Sequence, residues 1–436
     1  MKALTKGVND MHIKKRLRRD IMETLSETFE EEEDLEETKK YRWQTLWASA
    51  VGYMLDGLDL MILAFTMPLI IASLSLNTAE GGALSTITML GAVVGGIVFG
   101  ALADIYGRVK VFSWTIIIFS IFTGLCVVST GFWDFAVYRF LAGLGLGGEF
   151  GIGMTLVAES WPKKKRSRAT SGVAIGFQVG IILASLTTAI IAPFFGWRGV
   201  FLVGVIPAIF AFWVRKGLKE PEVWKNNQAK KGSDKTKLPI KEIFSSPKQT
   251  GVTIGLITIC GVQNFGFYGV MTWVPTALAN ELGFSFSNTT IWTIVTTVGM
   301  VIGILVFGLS ADKIGRKPSF IIFQIGCAVV IWLYFQFTTP LVLILFGSVL
   351  GFLVNGMMGG YGAIISEHYS TNIRSTAQNF VWNIGRALGG LGPLAIGAMA
   401  LNGSISAALG LISGVYVIAA IAMIFLVPET KGKEIA

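Results

Sequence analysis

Twelve apolar blocks dominate this chain, at residues 43–76, 84–103, 111–130, 135–158, 172–195, 200–214, 251–279, 291–311, 319–337, 341–365, 380–401 and 407–427. Most approach or exceed the ~20 residues that cross a bilayer's hydrocarbon core as a helix. In lipid, only helices and closed barrels satisfy their own backbone polar groups. Barrel strands would alternate apolar and polar residues over about ten positions, and these blocks do not alternate. The sequence therefore predicts an all-α polytopic membrane protein with twelve transmembrane helices. The composition agrees: 53% of residues are hydrophobic and 14% charged, against about 25% charged in ordinary soluble domains.

The formal charge of +9 invites a nucleic-acid reading, but its distribution excludes one. "WPKKKRSRAT" lies between the fourth and fifth blocks, and a lysine-rich connector lies between the sixth and seventh. The alternate loops ("NTAEGG", "TGFW", "FFGWRG", "NELGFSFSN", "TTP", "LNGS") carry a single basic residue, Arg198. This is the positive-inside pattern, and it places both termini in the cytosol of a multi-pass protein of the cell membrane. Cys126, Cys260 and Cys327 all fall within blocks, so no disulfide framework is indicated. The N-terminal arm pairs "HIKKRLRRD" with "EEEEDLEE". It is not a signal peptide, and reads as a cytosolic amphipathic helix or a mobile arm.

The second half restates the first at an offset of 208 residues. Asp104, Gly107, Arg108, Glu159, Arg166 and Ser167 become Asp312, Gly315, Arg316, Glu367, Arg374 and Ser375, and Gly91, Gly95, Gly143, Gly148 and Gly151 recur as Gly299, Gly303, Gly351, Gly356 and Gly359. The predicted organisation is a cytosolic arm (1–42), two pseudo-symmetric six-helix halves (43–216 and 251–427), a cytosolic linker (217–250) and a short tail (428–436). Parallel repeats of this kind build transporters whose site lies between the halves near the midplane.

On these residues the chain resembles the major facilitator superfamily from about residue 43 onward. "GALADIYGRVK" is similar to the family's signature loop between spans two and three, and "YRFLAGLGLGGE" to its fourth-span motif. "PETKG", echoed by "KEPE", is similar to the ends of sugar-porter halves. "DGLD", "GEFGIG…AESWP" and "GWRGVFLVGVIPAIFAFWVRK" most resemble the sialate/carboxylate (metabolite):proton symporter branch. Nicotinate and aromatic-acid symporters share parts of the pattern. The resemblance implies the major facilitator fold, with the first, fourth, seventh and tenth spans lining a cavity.

"GLGLGG" fits the GxGxxG pattern of dinucleotide sites, but it lies inside a membrane span with no preceding strand. Its glycines read as close helix packing. Asp104, Arg108, Glu159, Arg166, Asp312, Arg316, Glu367 and Arg374 read either as solvated loop charge or, as the resemblance implies, as a conformational lock that forms in one state and parts in another. Their recurrence in both halves favours the lock.

Asp56 and Asp59 stand three apart on one face of the first span, with Asp56 ~20 Å in from Trp43 at ~1.5 Å per residue. Intramembrane acids default to function; the alternative is a buried ion pair to another helix. Burial and a neighbouring carboxylate both disfavour the charged form, so such acids can take up and release a proton. Glu149, near mid-depth of the fourth span, is a further proton-site candidate. Arg139 is a partner for it or for Asp59, or snorkels to the interface. Arg386, at mid-depth of the eleventh span, needs an anion: a protein carboxylate, or a substrate carboxylate held bidentately. Its repeat mate is the neutral Gln178. Gln178, Gln263, Asn264, Tyr268, Asn355, Tyr361 and Asn383 complete the candidate substrate set. The histidines, His12 and His368, form no metal site, and no catalytic constellation or cofactor motif occurs.

The sequence thus indicates a proton-coupled symporter, not an enzyme, importing a small organic anion of the monocarboxylate type as a monomer in the lipid bilayer. The alternatives are a proton-coupled exporter of a drug or metabolite and a solute sensor that carries nothing.

Overall fold

The computed structural model describes residues 38–433 apart from 68, 77, 232–238, 281–282, 284–285, 338, 393–394, 397–398, 400–404 and 411. His12 and residues 1–37 of the predicted arm lie outside the described residues. Among those described there is no strand. The helices are α1 (Thr38–Met67), α2 (Thr78–Tyr106), α3 (Arg108–Leu125), α4 (Phe132–Ser160), α5 (Arg166–Val203), α6 (Pro207–Gly217), α7 (Glu222–Lys231), α8 (Pro247–Asn280), α9 (Phe286–Lys313), α10 (Arg316–Tyr334), α11 (Pro340–Gly356), α12 (Met358–His368), α13 (Arg374–Gly389), α14 (Ile405–Gly410) and α15 (Ile412–Leu426). Together they make an all-α bundle whose second half repeats the first.

Ten helical stretches are long and apolar enough to cross a membrane among the described residues. The sixth and eleventh spans account for the difference from twelve. The fifth span runs into the sixth within α5 and turns at Gly196, whose φ of 61° suits only glycine. The sixth span then breaks between α5 and α6. The eleventh is described as a helix over the 16 residues Arg374–Gly389, short of a full span, and it carries Arg386 and three buried amide side chains, Gln378, Asn379 and Asn383.

The recurrent glycines set how closely helices cross. A Cβ at Gly147 would lie 1.8 Å from the Ala92 carbonyl oxygen, and one at Gly95 would lie 1.9 Å from that of Leu144. In the second half, a Cβ at Gly299 would lie 2.0 Å from the Ser348 oxygen and one at Gly303 2.1 Å from the Phe352 oxygen. The α2–α4 and α9–α11 crossings thus use one device, in which backbones meet because no side chain intervenes. This is the work of the "GLGLGG" run. Hydroxyls within the spans return to the helix itself, as Thr66 does to the Ile62 carbonyl at 2.6 Å and Ser120 to that of Ile116 at 2.7 Å.

Residues from Thr45 onward form one compact unit that includes both halves. The end of the bundle that holds the linker and the tail is called the terminal face below.

Candidate functional site

The two acids of α1 share a helix face but not a partner. Asp59 is held bidentately by Arg139 of α4, at 2.9 Å to Nη2 and 3.3 Å to Nη1. The Thr123 hydroxyl donates to Asp59 Oδ1 at 2.5 Å, and Arg139 Nε donates to Thr88 Oγ1 at 3.2 Å. All four residues are buried. A buried charge pair is tolerable when geometry is good and remaining donors are used, and this one meets both conditions. Arg139 is therefore the partner of Asp59; it neither pairs with Glu149 nor snorkels.

Asp56 faces the opposite half. Its Oδ2 lies 3.8 Å from Nη1 of Arg386 on α13, and neither carboxylate oxygen has a hydrogen-bond partner. Arg386 Nε donates to the Tyr268 hydroxyl of α8 at 3.4 Å. Charge-assisted N–H···O bonds close at about 2.8 Å, so this cross-half pair is loose where Asp59–Arg139 is tight.

Around Arg386 is a cavity of about 20 Å³, room for about one water. Of the expected substrate residues, Gln178, Gln263, Asn264, Tyr268, Asn355 and Arg386 line it. Gln178 Oε1, Gln263 Oε1 and Asn355 Nδ2 are buried on this wall with no hydrogen-bond partner. Tyr53, Phe177 and Trp382, which pattern reading passed over, also line it. Tyr53 stands 5.1 Å from Phe177 ring to ring, and Phe150 bridges Tyr53 and Trp382 at 4.8 and 4.3 Å. Their signal was present, since Tyr53 precedes Asp56 by three residues and Trp382 precedes Arg386 by four.

Two expected members lie off this cavity. Tyr361 is fully buried and donates to the Ile259 carbonyl at 2.9 Å. Asn383 donates to the Gly147 carbonyl at 2.9 Å, fastening α13 to α4. Both are occupied in packing. Glu149 is 1% exposed, and neither of its oxygens has a hydrogen-bond partner. A Cβ at Gly52 would lie 2.7 Å from Glu149 Oε1, so the carboxyl rests on α1 at a glycine one turn from Asp56.

At the terminal face the eight recurrent charges form two matching clusters. Glu159 bonds Arg108 of its own half through Nη2 at 3.2 Å and Arg374 of the other half at 2.7 Å. Glu367 bonds Arg316 of its own half at 3.0 Å and Arg166 of the other half at 2.7 Å. Asp104 accepts from the Ser375 and Thr376 backbone N–H groups at the start of α13, at 3.2 and 2.7 Å. Asp312 accepts from those of Ser167 and Arg168 at the start of α5, both at 3.1 Å. An acid at a helix N-terminus meets free N–H groups and the positive end of the dipole. Gly107 and Gly315 have φ of 111° and 120°, positions only glycine fills without strain, and they start α3 and α10.

Glu220 caps α3 through the N–H groups of Arg108, Val109 and Lys110, as Glu429 caps α10 through those of Arg316 and Lys317. Burial pushes the Glu220 carboxyl up from its ordinary value, and the backbone bonds pull the other way. The contacts of Glu159, Glu367, Asp104 and Asp312 with the other half close the terminal face.

The sequence profile of the Major Facilitator Superfamily matches residues 49–300 and 264–436. A metabolite transport protein of Haemophilus influenzae, so named provisionally, is 49% identical and aligns over 91% of this chain and 98% of its own. The cis,cis-muconate transport protein of Acinetobacter baylyi is 31% identical over 90% of this chain and 96% of its own. The sialic acid transporter NanX of Escherichia coli is 29% identical over 80% and 84%. Among solved structures, the proton:xylose symporter XylE superposes with a TM-score of 0.74 at 19% identity, over 91% of this chain and 98% of its own, a likeness of fold. The tight crossings, the paired terminal clusters and these matches agree, and the chain belongs to the Major Facilitator Superfamily, as a membrane transporter and not an enzyme.

Proposed function

We propose that the protein is a proton symporter that imports a small organic monocarboxylate. The two halves, residues 43–216 and 251–427, rock about the central cavity. The observation that carries this reading is the loose Asp56–Arg386 pair at 3.8 Å, set between the halves beside partnerless amide groups.

The coupling follows from charge. In the empty cavity Asp56 is the counter-ion of Arg386, and the pair is neutral. When Asp56 takes a proton, Arg386 loses its counter-ion and receives the substrate carboxylate in its place, so the loaded cavity is neutral again. The two half-loaded states are not neutral: a proton without substrate leaves one positive charge, and substrate without a proton leaves one negative. Closing a membrane-buried cavity on an unpaired charge costs several kcal/mol. Only the empty and the doubly loaded carrier close, which yields one proton per monocarboxylate with no net charge moved. Glu149, near Asp56 and free of a cation, passes the proton on. Asp59 is already neutralised by Arg139 and holds the fold.

The aromatic wall of Tyr53, Phe177 and Trp382 supports a planar, unsaturated acid as cargo; the muconate relative carries such an acid by its name, there with two carboxylates. In this reading the terminal clusters act as the lock and the positive-inside pattern supports that face and both termini lying on the cytosolic side of the plasma membrane, with the described state closed to the cytosol. The protein acts as a monomer.

The test uses purified protein in liposomes, screened first by thermal shift with muconate, benzoate, nicotinate, sialate and lactate. Asp56→Asn abolishes accumulation driven by an imposed proton gradient, because empty Arg386 can no longer close unpaired. It leaves counterflow exchange intact, because the loaded form is still neutral. Accumulation by Asp56→Asn would sink the reading, and efflux driven by the gradient in place of uptake would make the protein an exporter.

A further inference from the structure

A second cavity lies at the terminal face, away from the transport path. It measures about 450 Å³ and is walled by Ser246 and Lys248 at the start of α8, by Gln249, by His368 at the end of α12, and by Glu429, Thr430 and Lys433 of the tail. Its wall is rich in donors with nothing to donate to. Lys248 and Lys433 are exposed, and their ammonium groups have no hydrogen-bond or ion-pair partner among the described residues. Gln249 Nε2 and His368 Nε2 are buried with no hydrogen-bond partner. His368 Nδ1 donates to the Ile364 carbonyl at 2.7 Å, so Nε2 is the acceptor nitrogen of the neutral ring and offers an anion no N–H. The α8 helix begins here, and Ser246 Oγ already caps the Gln249 N–H, leaving that of Lys248.

Glu429 is the one acid on the wall, and it is spent. Its oxygens accept from the N–H groups of Arg316, Lys317, Thr430 and Lys431 at 2.7 to 3.0 Å. Two cations, a helix N-terminus and the partnerless Gln249 amide nitrogen around a cavity larger than a bare phosphate call for a multivalent oxyanion with a body attached.

We propose that this cavity binds a phosphate monoester or diester group and that occupancy holds the terminal face shut. The tail that forms one wall reaches the lock directly. The Thr430 hydroxyl donates to Glu367 Oε2 at 2.5 Å, and Arg166 of the other half donates to the Lys433 carbonyl at 3.4 Å. A ligand that ties Lys433 to Lys248 fixes the tail where it touches both halves. When the face opens, Arg166 leaves the tail and that arrangement loosens. The ligand therefore binds the closed form more tightly and, by linkage, favours it. The second half has this device alone: the repeat mate of His368 is Ser160, and Pro221 follows Glu220 where Thr430 follows Glu429.

The binding measurement is independent of substrate and of proton coupling, and only the exchange measurement rests on the proposed transport. Full-length protein is purified in phosphate-free buffer and titrated with inorganic phosphate and glycerol phosphate, at ionic strength matched with chloride. It is also reconstituted with and without phosphatidylglycerol. The expected result is a saturable rise in thermal stability with phosphate compounds. With ligand at the terminal face, the maximal exchange rate falls several-fold at unchanged KM. The Lys248→Ala/Lys433→Ala variant loses affinity at least ten-fold yet exchanges at the wild-type rate in phosphate-free buffer, and Lys248→Arg retains binding. Response to the soluble compounds assigns a free phosphate ester; response only to phosphatidylglycerol assigns the lipid headgroup. Equal binding by the double variant, or no response beyond that to chloride, overturns the proposal.

Discussion

The two halves share a backbone plan but differ in what fills them. The first half buries Asp56, Asp59, Arg139 and Glu149; the second places Asn264, Phe267, Gly347 and Met357 at the same positions. Trp292 occupies the space of the missing pair: a Cβ at Gly347 would lie 2.5 Å from its Nε1 and 2.8 Å from Thr296 Oγ1. Thr296 is the repeat mate of Thr88, which receives Arg139 in the first half. One fold therefore closes the same gap with an ion pair or with an indole. Buried charge is not demanded by the architecture, so its confinement to one half assigns that half the chemistry. Among the described residues the second half supplies a single cation buried at mid-span, Arg386, whose mate is Gln178.

The comparison can be broken most sharply at Asp56. Its neutral mate is Asn264, and Asp56→Asn makes the halves alike there; the expected result is complete loss of proton-driven accumulation in liposomes. Next in size is the tight pair. Arg139→Gly leaves Asp59 buried and alone, and unfolding free energy should fall by about 3–5 kcal/mol, read by denaturation of the purified protein. Adding Asp59→Phe and Leu84→Trp rebuilds the second half's solution, and most of that loss should return. If it does not, the indole and the ion pair are not equivalent fillings.

Arg386→Gln imports the first half's residue. It removes a charge-assisted contact worth roughly 1.5–3 kcal/mol, so the apparent KM for the anion should rise about 10- to 100-fold with folding unchanged. For wild type, that KM should also climb as the pH on the uptake side rises, since Asp56 must be protonated to release Arg386; a flat profile would separate the two groups. The smallest effect lies in the lock. Glu159→Gln and Glu367→Gln should each speed alkylation of an Asn355→Cys reporter from the terminal face several-fold. Glu367→Gln should do more, because only Glu367 also holds Thr430.

Much of this was legible before any coordinates. Block length revealed the helices, and the 208-residue offset paired the terminal charges, because motifs at helix ends meet wherever the ends meet. Arg386 and Asp56 were legible as residues whose burial needs a reason. Pairing was less so. Asp56 and Asp59 sit on one face by spacing, yet three residues also mean a rise of about 4.5 Å and a turn of about 60°. That step sends one carboxylate to α4 and the other to α13. Asn383 and Tyr361 show the same limit. Each stands on a helix that lines the cavity, but the Gly147 and Ile259 carbonyls lie closer than the cavity does. The aromatic wall was hidden because rings in a membrane protein are mostly packing.

The terminal clusters have one more consequence, in the currents a carrier produces. Each half contributes two acids and two arginines to the buried part of the lock: Asp104, Glu159, Arg108 and Arg166 from the first, and Asp312, Glu367, Arg316 and Arg374 from the second; the half-exposed Arg168 of the first half adds a bridge to Asp312 at 3.1 Å. Closed, each glutamate is shared across the divide. Parted, each half keeps a complete set that sums to zero. The eight buried charges separate as two neutral sets, and the excess charge of Arg168 and the basic loops stays in water, outside the membrane field, so no gating charge is displaced. Opening this lock should be electrically silent, so any voltage dependence of the transport cycle would have to originate elsewhere.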